Sequence, residues 1–262
     1  MANDKPKVGI FGLTGCAGDQ LQILNCEDEL LRLAQRLDIV DWVMAKSDND
    51  HASRLDVAFV EGVVATERDL ETLKEVRARA RTLVAIGTCA VWGGLPAMQN
   101  TVAREVLQRE VYQGHANLDT VEALPPTHFV PFELLLPGCP MERQEFLRAV
   151  NALLAGTNPE LPRVPVCWEC KARENACRVV YHHEVCCGAM TRSGCGARCP
   201  SHGVACAGCR GPVEEPNYDA NITMFAGRGL SWVEIARKMS AFSAPVWMTQ
   251  GLEQEVRRDD KR

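Results

Sequence analysis

Residues 8–13 (VGIFGL) form a short apolar run that stops at a glycine-bearing loop, Thr14-Gly15-Cys16-Ala17-Gly18-Asp19. Apolar runs of this length, closed by turn residues, read as buried strands. Residues 55–60 (LDVAFV) and 83–86 (LVAI) repeat the pattern, and residues 133–136 lead into Pro137-Gly138-Cys139-Pro140. Between these runs the apolar spacing becomes helical. Leu21, Leu24, Leu30, Leu31 and Leu37 mark one helix after the first strand. Thr66 is placed to cap a charged helix over 66–80, with Glu75 and Arg79 four residues apart. Further helical stretches cover 101–112 and 141–154. Strands alternating with helices predict a parallel α/β sheet. Ligands of such sheets sit in the crevice beyond the carboxyl ends of the strands. Cys16, Cys89 and Cys139 each follow a predicted strand, so this fold would gather three sequence-distant residues at one edge.

The pattern breaks at residues 156–166, which hold three prolines and read as a linker. Two domains are therefore expected, residues 1–155 and 156–262. The second opens irregularly, with small residues and little periodicity, as expected where metal replaces an apolar core. A polar stretch after Pro212 leads to one amphipathic helix over 231–242, and the charged end at 253–262 is expected to be loose.

Nine of the thirteen cysteines lie within residues 167–209. They read C-x2-C-x6-C-x8-C through Cys167, Cys170, Cys177 and Cys186, then C-x3-C-x6-C-x2-C through Cys195, Cys199, Cys206 and Cys209. Cys187 is left over. Two sets of four thiolates suit either two tetrahedral zincs or two [4Fe–4S] clusters. The irregular intervals and the glycines beside the thiolates (Gly188, Gly194, Gly196, Gly208, Gly211) favour iron–sulfur, as does the third cysteine group in the α/β half. A zinc-stabilised scaffold without redox activity is the alternative. The net charge of −5 and the lack of a dense basic stripe argue against nucleic acid. No run of eighteen apolar residues is present, so no membrane span is expected. Residues 1–7 carry neither an apolar signal region nor a twin-arginine motif, which points to the cytoplasm. There, clustered cysteines bind metals more often than they form disulfides.

Six segments carry a resemblance. They are Leu13-Thr14-Gly15-Cys16-Ala17-Gly18, Gly87-Thr88-Cys89-Ala90 and Leu136-Pro137-Gly138-Cys139-Pro140, then Cys167-Trp168-Glu169-Cys170, Thr191-Arg192-Ser193-Gly194-Cys195-Gly196-Ala197 and Cys206-Ala207-Gly208-Cys209-Arg210-Gly211-Pro212. In this order, over nearly the whole chain, they resemble the small electron-transferring subunit of nickel–iron hydrogenases. The likeness is greatest to the cytoplasmic multimeric branch of sulfhydrogenases (delta subunit) and their NAD(P)-, viologen- and F420-linked relatives.

The resemblance implies a flavodoxin-like parallel-sheet domain followed by an irregular, cysteine-rich iron–sulfur domain, with three [4Fe–4S] clusters. Cys16, Cys89 and Cys139 match three ligands of the proximal cluster. The fourth family ligand is usually cysteine, but this chain has Asp19 there, which some members of the branch use; its carboxylate is a harder donor than thiolate. Cys26, seven residues further on, is the competing ligand, and capping the next helix is the competing role for Asp19. Family order assigns Cys167, Cys170, Cys177 and Cys186 to the distal cluster, and Cys195, Cys199, Cys206 and Cys209 to the medial one. Register favours Cys186 over Cys187, which would be a buried apolar residue. His183 is a secondary candidate beside the distal set, with His182 next to it; His51, His115, His128 and His202 offer no ligand spacing.

The resemblance implies relayed electrons and reversible oxidation of H2, with no catalytic residue on this chain. Its only CxxC pairs lie in the tail, so the nickel–iron site belongs to a large-subunit partner. A second partner is expected, an iron–sulfur and flavin acceptor subunit linked to NAD(P). This chain has no G-x-G-x-x-G after a strand, and Cys16 and Asp19 occupy the loop where a flavodoxin-like fold would hold phosphate. A related alternative is the cluster subunit of a complex I-like quinone oxidoreductase. That group carries adjacent cysteines in its α/β domain and generally lacks the eight-cysteine tail; here the adjacent pair, Cys186-Cys187, lies in the tail.

Overall fold

A computed structural model describes residues 5–113 and 119–247, with side chains as far as residue 242. His115 and the charged end at 253–262 lie outside the described residues. The chain forms two compact units, Met1–Glu160 and Leu161–Arg262.

The first unit is built on five parallel strands: β1 (Lys7–Gly12), β2 (Asp38–Asp41), β3 (Leu55–Glu61), β4 (Ala80–Ile86) and β5 (Leu134–Leu136). Their order is β2-β1-β3-β4-β5, the doubly wound order of flavodoxin-like sheets. The middle strands are continuous apolar runs because helices cover both faces. Among the described residues the unit's α-helices are α1 (Gly18–Leu24), α2 (Asp28–Ala34), α3 (Glu67–Arg79), α4 (Gly87–Trp92), α5 (Arg104–Tyr112) and α6 (Arg143–Leu154). Leu73 and Val76 of α3 pack with Ala58, Val60 and Leu83. Phe59, one residue out of step with Ala58 and Val60, points to the opposite face. There it meets Phe146 of α6 edge-on, with ring centroids 5.3 Å apart.

Sequence and structure part company in three places here. The helix marked by five leucines is two helices, broken at Glu27 (φ 42°), with Leu37 beyond the second. Strand β2 lacked an apolar signature because Asp38 and Asp41 bound it. Arg79 does not serve a helical pair with Glu75. Its Nη1 binds buried Asp41 at 2.9 Å, while Nε and Nη2 donate to the carbonyls of Ser53 and Asp50. A cation near the helix end is thus used to pin the loop after β2. The Thr66 cap does form: its hydroxyl accepts from Asp69 N (3.1 Å), and the Asp69 carboxylate accepts from Thr66 N (2.9 Å).

The second unit carries α7 (Val166–Ala172), α8 (Arg178–His182), α9 (Arg198–Ser201), α10 (Tyr218–Ala226) and α11 (Trp232–Trp247). The expected linker ends early, because Val164 and Val166 bond with Ser193 and Thr191 inside this unit. The stretch after Pro212, read as polar, contains α10, capped by Asn217, whose Oδ1 accepts from Ala220 N. Its Ile222 and Phe225 join Ile235 and Met239 of α11, with Val179, Val185 and Met190, in an apolar core. Metal therefore need not replace the whole core of this unit.

Candidate metal centres

In the first unit the predicted donors lie on three loops at the carboxyl end of the sheet. Cys16 lies in the turn between β1 and α1, Cys89 in the first turn of α4 after β4, and Cys139 just past β5. Hydrogen bonds join these loops. Thr88 N donates to Gly138 O at 2.8 Å, and Met141 N donates to Asp19 Oδ1 at 2.6 Å. Two glycines make the approach possible. Gly87 has φ +82°, and a Cβ there would lie 1.8 Å from Asp19 Oδ2. At Gly94 (φ +54°) a Cβ would lie 2.6 Å from Cys89 Sγ.

The electrostatics of this group are one-signed. Burial pushes the Cys89 thiol up to about 12, and Cys139, Asp19, Cys16 and Glu61 push it the same way. Burial also raises Cys139, with Asp19, Cys16 and Glu61 adding to the shift. The Asp19 carboxyl, only 5 % exposed, is raised to about 7 by burial. The Met141 amide pulls it down and Glu61 pushes it up. Four potential anions and a fifth, the Glu61 carboxylate, thus crowd one sheet edge. A polycationic centre would turn this repulsion into attraction, so the donor set fits a metal cluster. Glu61 escaped the sequence reading. Its carboxylate accepts from Asp19 N (3.0 Å) and Gln20 N (3.3 Å), capping a helix that begins after Ala17 in the left-handed conformation, with no side-chain cap of its own. The available signal was a charge ending an apolar strand, directly before Gly62.

Cys26 lies apart from this group. It is wholly buried at the α1–α2 junction, its thiol donates to Gln22 O, and burial raises it to about 11. Asp19 is therefore the carboxylate that the fold sets among the three loop cysteines.

In the second unit, burial raises Cys167 to about 11, and Cys186, Cys170 and Cys177 raise it further. These four form one group. Backbone amides of Gly188 and Cys206 donate to Cys186 Sγ, the latter at 3.3 Å. Cys187 points away, buried beside Val179, Val185 and Met190 and raised to about 12 by burial. Cys195 Sγ accepts from the backbones of Arg198 and Ala197, and Cys206 Sγ from Gly208. Cys206 forms a small buried cluster with Val166 and Ala197, and Cys170, Cys186 and Cys195 pack against that cluster. Cys209 acts on Cys206 electrostatically, and Cys199 is exposed in α9. Amide N–H groups aimed at sulfur are what iron–sulfur ligation uses to stabilise anionic sulfur. Among the described residues, no three or more His, Cys, Asp or Glu are grouped to hold a single metal ion. His182 and His183 are exposed at the end of α8; neither joins the cysteine group.

The model of the NADH ubiquinone oxidoreductase 20 Kd subunit family matches residues 16–153. The chain is 35% identical to the sulfhydrogenase 2 subunit delta of Pyrococcus furiosus, covering 90% of this chain and 99% of that one. It is 33% identical to a subunit of the F420-non-reducing hydrogenase vhu of Methanococcus voltae, over 92% of this chain and 94% of the relative. Among solved structures, a chain of an NAD+-reducing [NiFe]-hydrogenase in the H2-reduced state matches with a TM-score of 0.55 and 28% identity, over 60% of this chain and 96% of that one.

Proposed function

The chain belongs to the nickel–iron hydrogenase small-subunit family, and from that premise we propose that it relays electrons between a large subunit's nickel–iron site and an acceptor subunit during reversible H2 oxidation. It is a subunit of an oxidoreductase acting on H2 whose active site lies on a partner. When bound, three [4Fe–4S] clusters would supply one-electron transfer in the order proximal, medial, distal. Cys16, Asp19, Cys89 and Cys139 would hold the proximal one; Cys195, Cys199, Cys206 and Cys209 the medial one; Cys167, Cys170, Cys177 and Cys186 the distal one. The chain's own work is placement. Gly87 and Gly94 admit the donors, the Met141 amide fixes the Asp19 carboxylate, and the amides of Gly188, Ala197, Arg198, Cys206 and Gly208 stabilise anionic sulfur. Asp19 is buried and Cys89 partly so, while Cys16 and Cys139 are exposed.

The observation that carries this reading is the convergence of four donors from three strand-end loops on one crowded, like-charged edge. The acceptor is proposed to be an iron–sulfur and flavin subunit linked to NAD(P), and the complex to be cytoplasmic. Among the described residues no helix is long and apolar enough to cross a membrane. The complex I-like reading draws on the family model, but that match stops at residue 153, whereas the hydrogenase relatives extend through the eight-cysteine segment. The decisive experiment is anaerobic isolation with co-purifying subunits. About twelve irons per chain with equal acid-labile sulfide are expected from three four-iron clusters, together with a nickel-bearing partner. Zinc without sulfide would refute the relay.

A further inference from the structure

We infer that Arg210 and Glu169 are a matched pair of opposite fixed charges that set the reduction potential of the medial centre. The inference rests on the reading of Cys195, Cys199, Cys206 and Cys209 as that centre's ligands. Arg210 is the residue after Cys209 and is 1 % exposed, among the largest fully buried side chains described. Its Nε donates to Ser193 O at 2.7 Å. Its Nη2 lies against Gly194, 2.6 Å from where a Cβ would be. The guanidinium thus lies under the two residues preceding Cys195, and no protein environment deprotonates it.

Glu169 reaches the same loop from α7. Its Oε1 accepts from Gly194 N at 2.9 Å and its Oε2 from Ala197 N at 3.2 Å, so the carboxylate brackets Cys195 from both sides. The two charges therefore flank the Cys195 loop with opposite sign. A thiolate-ligated cluster gains one negative charge when it accepts one electron. A nearby buried cation stabilises that reduced state and a nearby anion opposes it. The effect inferred is one of fixed charge.

The test is an EPR-monitored redox titration of the anaerobically purified complex. The medial signal is assigned by Cys199→Ser, which should change its g-values. Arg210→Met should make the medial centre at least tenfold harder to reduce at a fixed potential, a shift of about 59 mV or more downward for one electron. Arg210→Lys keeps the charge and should stay nearer the parent. Glu169→Gln, which keeps an acceptor for the loop amides, should shift the medial potential upward. The proximal signal should not move in any of them. Should Arg210→Met fail to fold, Glu169→Gln and Arg210→Lys decide. The inference fails if Glu169→Gln leaves the potential unchanged or lowers it, or if both charge-removing variants move it the same way, since loop disruption would do that. Absence of any iron–sulfur signal from the second unit would overturn the ligand reading as well. A present but unmoved signal would overturn the charge pair alone.

Discussion

If Asp19 is the proximal ligand proposed above, metal and proton would compete for its carboxylate. In the cluster-free chain its carboxyl is raised to about 7 from 3.8, chiefly by burial. The folded state therefore binds this proton more tightly than the unfolded state does. The resulting stabilisation is complete below about pH 4 and is lost as pH rises through about 7. Each tenfold change in proton affinity is worth about 1.4 kcal/mol, so the loss amounts to a few kcal/mol. Urea unfolding of the cluster-free protein should show stability falling across pH 5–7. Asp19→Asn, neutral throughout and still able to accept from Met141 N, should flatten that fall; an equal slope in the variant would show that Asp19 is not its source. Iron would take the place of the proton, so cluster assembly near neutral pH should release protons. A related steric prediction concerns Gly87→Ala. Its methyl would collide with Asp19 Oδ2 in a backbone conformation that alanine avoids. The variant should lose the proximal EPR signal while keeping those of the second unit.

Helix α1 shows how an element borrows from its neighbour what its own sequence lacks. Ala17 precedes it and offers no side-chain acceptor, so Glu61 at the end of β3 receives the Asp19 and Gln20 amides. Removing both acceptors with Glu61→Ala leaves two buried donors unsatisfied, at about 1–3 kcal/mol each. The midpoint of denaturant unfolding should fall accordingly. Glu61→Gln, with one acceptor retained, should lie between parent and Ala variant. Such cross-strand support explains which elements were legible in the sequence. Strands β1, β3, β4 and β5 and helices α3, α5 and α6 announce themselves by apolar runs, spacing or a capping box. Strand β2 and helix α10 do not, because their burial comes largely from residues outside the element: Val40 packs with β3, α3 and β4, and Ile222 and Phe225 with Val179, Val185 and Met190 as well as α11. The ligand candidates were legible as cysteines at strand ends and at short intervals. Glu61 was not, since nothing local shows that a strand-end carboxylate turns toward a helix three elements earlier in the chain. The role of Arg79 was hidden for the same reason.

The two units differ in what holds each together, and this difference is measurable. The first unit has a five-stranded sheet with apolar side chains buried on both faces, so its strands should persist without metal. The second has an apolar core among α8, α10 and α11, but α7, α8 and α9 are only 7, 5 and 4 residues long. Helices so short are not stable alone. Each of α7 and α9 contributes cysteines to the groups described, and Cys177 directly precedes α8. Metal–thiolate bonds formed by such segments are folding energy for them. Anaerobic removal of iron with a chelator, followed by hydrogen exchange, should therefore give an uneven response. Amides of β1, β3 and β4 should keep their protection. Those of α7 and α9, and the Cys206 amide bound to Cys186 Sγ, should exchange orders of magnitude faster. The α10 and α11 amides should be intermediate, since Phe225, Ile235 and Met239 still bury one another. Unchanged exchange across α7 and α9 would mean that these segments fold without metal, and the cysteine groups would then need another reason for their arrangement.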